Sequence, residues 1–321
     1  MTFPRAQRAR LDADRWHWQH GPIDIVAQAD GDAGAVAEAH EAAWLRFATV
    51  LDELVGELPL LRAPIDAPCP LRGPVARRMW QACADVRGAA GGIFMTPMAA
   101  VAGSVAQELI ACYARPGVDR AWLNNGGDIA LHLAPGQSAR VGLVADIAGI
   151  DPRARGPLQS DGQFAIDAAM PVRGVATSGW RGRSFSLGIA DSVTVLAATA
   201  ALADAAATAI ANAVNVDDAA IERLPASACK DDADLGDIPV TVNVGALAPT
   251  QVRRALDAGA HQAQALQRAG LAWAAVLHCQ GQWAVAQPLC SAPLQRVASG
   301  LPWAAPGSPS AGAVAVGSVF A

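Results

Sequence analysis

The sequence predicts a mixed α/β (α+β) fold, and three observations lead there. Short β-rich runs such as residues 23–28 and 239–244 alternate along the chain with segments whose apolar residues recur at helical spacing. Two small-residue helices, expected over 97–113 and 199–214, read as equivalent parts of two related lobes. The 321 residues are 52% hydrophobic, which suits a well-buried core and argues against disorder.

Each element has a local reason. Residues 1–20 are polar, and the alternation of Trp16, His17, Trp18 and His20 suits an edge strand or arm; a metal site is the other reading. Residues 23–28 form a short strand. Asp32 can cap the helix that follows, to about Gly56, with Val36, Ala43, Trp44, Phe47, Val50, Leu51 and Leu54 on its buried stripe. His40 falls just off that stripe and is expected at the surface. Residues 60–74 are a Pro-rich loop, and Pro74 suits the first turn of a helix to about Val86. Thr96 and Pro97 open the helix over 97–113, whose first turns are almost all small. Those turns can admit another helix or a flat ligand.

Strands are expected at 120–124 and 129–133, with Asn125-Gly126-Gly127-Asp128 between them. Two glycines there let backbone N–H groups approach a phosphate; a plain hairpin turn is the other reading. Further strands are expected at 141–147, 164–170, 173–176, 183–189 and 192–196. The 199–214 helix follows, then a short helix at 217–222, a charged loop at 228–237, a strand at 239–244 and an amphipathic helix at 249–269 ended by Gly270. A hairpin turns at Gln280-Gly281. The tail from Ser291 is rich in Pro, Gly, Ser and Ala, with 314–320 as an edge strand. We read 1–295 as one integrated domain and 296–321 as its tail.

Composition narrows the function classes. A net charge of −5 without a basic stripe argues against nucleic acid. No apolar run has the length of a membrane span, and no apolar segment follows the basic residues near Met1, so a cytoplasmic protein is expected. The six cysteines show no CxxC or zinc spacing and are expected as reduced thiols. P-loop, GxGxxG, GxSxG and HExxH patterns are all missing, and no histidine occurs between His132 and His261.

The residues left for chemistry centre on 174–212. Thr177, Ser178 and Gly179 form a small-residue turn. Asp204 and Thr208 stand four residues apart on one helix face, where a carboxylate and a hydroxyl can hold a hard cation such as Mg²⁺. The same pair can instead face water on a tightly packed Ala-rich helix.

Taken together, the ordered set Asn125-Gly126-Gly127-Asp128, Thr177-Ser178-Gly179 and Ala203-Asp204-Ala205-Ala206-Ala207-Thr208-Ala209 resembles the ApbE-like superfamily over about residues 97–212. Its best-known members are FAD:protein FMN transferases, which split the FAD pyrophosphate with Mg²⁺ and attach FMN to a Ser or Thr of a target protein. The chain departs from them in lacking a His-x-x-Asp-Pro-x-x-Gly segment. In its place stands 182–191, GRSFSLGIAD, similar to an uncharacterised branch with Gly-His-Ser-x-Ser-x-Gly-x-Ala-Asp, Arg183 replacing the histidine. The resemblance implies a two-lobed fold of mainly antiparallel sheets backed by helices. It implies a site for FAD with Asn125, Gly126, Gly127, Asp128, Thr177, Ser178 and Gly179 lining it and Asp204 and Thr208 on Mg²⁺. Arg183 is expected as a phosphate clamp and Asp191 as a base or second metal ligand. The implied partners are a flavin nucleotide and a target flavoprotein. A non-catalytic dinucleotide binder and a different enzyme on the same scaffold are the alternatives, and a homodimer is compatible with the Ala-rich composition.

Overall fold

The computed structural model describes residues 4–12, 15–143, 162–182, 184–230, 233–289 and 313–315. Strands β1 (Gln7–Arg10), β2 (Arg15–His20) and β3 (Ile23–Gly31) lead into helix α1 (Ala33–Gly56), the short α2 (Leu58–Leu61) and α3 (Pro74–Ala89). A single 3₁₀ turn, Pro97–Ala100, opens α4 (Val101–Ile110). Strands β4 (Val118–Asn125), β5 (Asp128–Leu133), β6 (Ser138–Leu143), β7 (Gly162–Asp167), β8 (Gly174–Ser178) and β9 (Ser192–Ala197) follow, then α5 (Ala200–Ala213). The rest is β10 (Ile221–Pro225), α6 (Ala226–Cys229), β11 (Pro239–Val244), α7 (Pro249–Arg268), β12 (Ala274–Cys279), β13 (Gln282–Ala286) and β14 (Ala313–Ala315).

Nine strands form one sheet in the order β1-β2-β3-β4-β5-β8-β9-β12-β13. Every neighbouring pair in it is antiparallel. The mixed α/β architecture, with a large antiparallel sheet backed by helices, agrees with the expected fold class. The two halves share this one sheet, and each packs its own helices on the same face. Trp18, Ile25 and Leu123 meet α1, α3 and α4 through Phe47, Met79 and Leu109. Ala176, Val193, Val195 and Leu277 meet α5 and α7 through Ile210 and Leu256. The period-2 alternation of strands sends Trp122, Ile129, Val175, Leu196 and Val276 to the other face. There the strands β6 and β7 cover them with Val141, Phe164 and Ile166.

Asp32 caps α1 as expected, accepting from the N–H groups of Gly34 and Ala35. Several expectations are corrected. Thr96 makes no capping bond; its hydroxyl donates to Asp234 Oδ2 at 3.1 Å. His40 is half-buried, not superficial: its Nδ1 lies 2.7 Å from the Tyr113 hydroxyl, and burial pushes its pKa down to about 4. The alternation at 184–189 makes no strand, because Asn212 Oδ1 accepts from both Ser186 Oγ and Leu187 N and holds the segment on α5 instead. Residues 217–222 form no helix: Asp218 Oδ1 takes the Ala220 N–H in a turn, and β10 begins at Ile221. The expected edge strand at 314–320 overlaps β14, which pairs in parallel with β6. The rest of that tail, and residues 144–147 of the strand expected at 141–147, lie outside the described residues.

Candidate functional site

Four elements meet at one end of the sheet. The Asn125↔Asp128 pair closes the β4–β5 hairpin over Gly126 and Gly127. Both glycines have positive φ, 65° and 114°, which is the reason for glycine at each. Asn124 Oδ1 accepts the Gly127 N–H at 2.8 Å. The expected anion donor at Gly127 is therefore engaged within the turn, and a phosphate there would have to displace Asn124 or use other donors. Asn125 Nδ2 donates to Ala102 O at 3.1 Å and ties the hairpin to the start of α4.

Helices α4 and α5 touch backbone to backbone at Gly103, where a Cβ would collide with Ala200 O and with the Asp204 side chain. That approach lets the Gly103 N–H donate to Asp204 Oδ2 at 2.8 Å. The small residues of the 97–113 stretch thus admit a helix. Asp128, at 8% exposure, faces the same junction and accepts the Thr177 N–H at 3.2 Å. Burial raises the Asp128 pKa to about 7, against the lowering effect of that hydrogen bond. Asp204 keeps part of its surface open, yet burial is again the largest cause that drives its pKa well above the usual carboxylate range. The Asp128 charge adds to it, and the Gly103 and Ala102 N–H groups oppose it. Among the described residues no Lys, Arg or His forms an ion pair with either carboxylate.

Thr208 is half-buried one turn along α5 from Asp204, and Asn212 extends the polar stripe by another turn. The stripe faces other elements of the protein at both ends. Two carboxylates and a hydroxyl, all oxygen and short of positive charge, fit a hard cation such as Mg²⁺, which takes one or two protein carboxylates and leaves positions for phosphate oxygens. Among the described residues no three His, Cys, Asp or Glu side chains converge on a metal-sized space, so such an ion would lean on Thr208, carbonyl oxygens and its ligand.

Thr177 and Ser178 are the last residues of β8, where a turn was expected, paired with Thr194 and Val193. Thr177 Oγ1 lies 2.8 Å from Thr194 Oγ1. Gly179 follows with its Cα against the Asp191 carbonyl, too close for a Cβ. Asp191 does not join the Asp128–Asp204 pair. Its carboxylate meets Arg181 Nε at 3.1 Å and the Gln280 N–H at 2.6 Å, with His278 Nδ1 3.6 Å away. Arg183 lies outside the described residues.

Sequence reasoning missed Asn212, Arg181 and His278. Asn212 was readable, since it continues the four-residue spacing of Asp204 and Thr208. His278 was not, because only the β9–β12 pairing brings it opposite Ser192.

A family model described as AbpE bacteria matches residues 7–285. The UPF0280 protein of Methanosphaerula palustris is 34% identical over 186 residues, covering 55% of this chain and 71% of that protein. The UPF0280 protein of Methanothrix thermoacetophila is 35% identical over 173 residues, 53% of this chain and 65% of its own. Among solved structures, the apo flavinyl transferase ApbE of Pseudomonas stutzeri aligns with a TM-score of 0.44 at 13% identity, covering 89% of this chain and 94% of that one. The flavin transferase ApbE of Vibrio cholerae aligns at 0.40 and 13%, covering 62% and 86%.

Proposed function

Since the chain belongs to the AbpE bacteria family, within the ApbE-like superfamily, we propose that it is a Mg²⁺-dependent flavin enzyme that transfers FMN from FAD to a Ser or Thr of a partner protein. The observation that carries this reading is the meeting of Asp128 and Asp204 at the α4–α5 junction, two desolvated carboxylates held by backbone N–H groups, with no ion-pair partner among the described residues. Asp204 and Thr208, with Asp128 opposite, would hold Mg²⁺, which when bound neutralises charge on the phosphates being separated. Asn125 and the 126–127 turn border that position, the Thr177 N–H donates to Asp128 beside it, and Thr177, Ser178 and Gly179 at the end of β8 would contact the flavin nucleotide. Asp128 and Asp204 are fixed by backbone N–H groups, so the carboxylates are oriented before any ligand arrives.

The test is calorimetric titration with FAD, with and without Mg²⁺, followed by an assay for AMP. Binding that requires Mg²⁺ and weakens at least about tenfold in Asp204→Asn, with AMP released by the unaltered protein, is the expected result. Failure to bind FAD under any condition rejects the flavin assignment. A second reading, a dinucleotide binder that does not cleave, is favoured by one observation: the His-x-x-Asp-Pro segment is missing from the sequence. Tight FAD binding without AMP selects it.

A further inference from the structure

A second polar cluster lies at the same end of the sheet, and residues from three places build it. Asp191 is held on both carboxylate oxygens, by Arg181 Nε on Oδ1 at 3.1 Å and by the Gln280 N–H on Oδ2 at 2.6 Å. His278 Nδ1 faces that second oxygen at 3.6 Å, buried and without a hydrogen-bond partner. The imidazole packs on Trp283 with 4.4 Å between centroids, and the His278 carbonyl accepts the Asp191 N–H at 3.0 Å. Arg181 lies over Trp180, 5.2 Å from its centroid. The Asp191 carboxylate and the Trp283 ring thus face His278, and Arg181 pairs with the same carboxylate.

An imidazole that turns Nδ1 toward a fixed carboxylate carries its N–H there and presents a lone pair at Nε2. A separation of 3.6 Å closes to a hydrogen bond with a movement of well under 1 Å, as ligand binding commonly produces. The register places this ring on the same face of the sheet as Thr177. Thr177 pairs with Thr194, and Ser192, two residues away on the same strand, pairs with His278. The His278 backbone therefore stands two strands from the end of β8, roughly 10 Å across the sheet. The 126–127 turn, residues 177–179 and the 280–281 turn all cap this one end of the sheet.

We propose that His278 accepts the proton of the hydroxyl that attacks a phosphoanhydride bound at residues 177–179, and that Asp191 is the residue that positions it. This rests on the flavin-transfer reading above. In the step, the hydroxyl oxygen forms its bond to phosphorus, the phosphorus–oxygen bond to AMP breaks with its electron pair leaving on AMP, and the hydroxyl proton passes to His278 Nε2. Asp191, expected from sequence as a base or second metal ligand, fixes the tautomer in this step.

The experiment uses the full chain with FAD, Mg²⁺ and water as the hydroxyl, and follows AMP release between about pH 5 and pH 9 alongside the Kd for FAD. The unaltered protein is expected to show a rate that rises with pH through one limb. His278→Gln should lose that limb and about 10²-fold or more in rate, with the FAD Kd changed by less than about threefold. Asp191→Asn should lower the rate with the FAD Kd held within about threefold, and Asp191→Glu should restore part of that rate. His278→Ala, checked by thermal melting, should regain rate on addition of imidazole. A His278→Gln protein that keeps both rate and limb, or a folded, FAD-binding His278→Ala protein that imidazole does not rescue, overturns this inference alone. An unaltered protein that binds FAD and never releases AMP overturns the transfer reading and this inference with it.

Discussion

Asp128 shows what one buried carboxyl does to the pH dependence of the protein. Its pKa stands near 7 in the folded chain, against about 3.9 when unfolded. Between those values the folded state holds a proton that the unfolded state has lost, so stability falls as pH rises from about 4 to about 7 and stays low above that. Asp128→Asn keeps an acceptor for the Thr177 N–H and removes the penalty. Thermal melts should therefore find the variant more stable than the unaltered protein by roughly 1–3 kcal/mol at pH 8, with the gap closing toward pH 4. A gap that does not depend on pH would show that Asp128 is not the titrating group. The sequence offered the same residue as the end of a turn and as a candidate contact to the flavin nucleotide, with nothing local to mark it as a buried carboxyl. Its partner Asp204 lies 76 positions away, and no local spacing announces that they meet.

At the scale of elements, the junction of α4 and α5 carries the candidate site. Gly103→Ala would drive a methyl group into Ala200 O, and the helices must separate to admit it. The expected loss is about 1–3 kcal/mol of stability, read from urea unfolding, together with a weaker response of the melting temperature to Mg²⁺. Unchanged Mg²⁺ stabilisation would detach the site from this helix contact. For α1 the expectation is simpler: Asp32→Ala should cost about 1 kcal/mol through the lost cap, with no effect on Mg²⁺ or FAD binding. Most helices and several strands were legible because cap residues, proline at helix starts and apolar spacing are local signals. The segment at 184–189 misled for the same reason. Its polar–apolar alternation is local, whereas the Asn212 side chain that holds it comes from the far end of α5. Thr177 and Ser178 read as a turn because small polar residues beside glycine favour turns, yet pairing with β9 extends the strand through both.

For the molecule as a whole, the nine-stranded sheet joins segments from residues 7–31, 118–133, 174–197 and 274–286. Trp18 sits in the apolar cluster of the first half, while Trp273 packs behind the second. If 1–295 is one domain, tryptophan fluorescence and far-UV circular dichroism should report a single coincident unfolding transition. Two separated midpoints would divide the chain. The strand order could not be read from the sequence: β5 pairs with β8, bypassing β6 and β7, and nothing in the spacing of 129–175 marks that choice. One consequence concerns the order in which the protein comes together. The hydrogen bond from Gly103 to Asp204 spans 101 positions, and it forms only when α5 docks against α4. Until then the Asp128 carboxylate is free to stay in water, and its repulsion with Asp204 does not exist. A nascent or refolding chain therefore meets the repulsion between these two carboxyls only when the α4–α5 junction forms, and a divalent cation or a proton arriving at that moment would act as the latch.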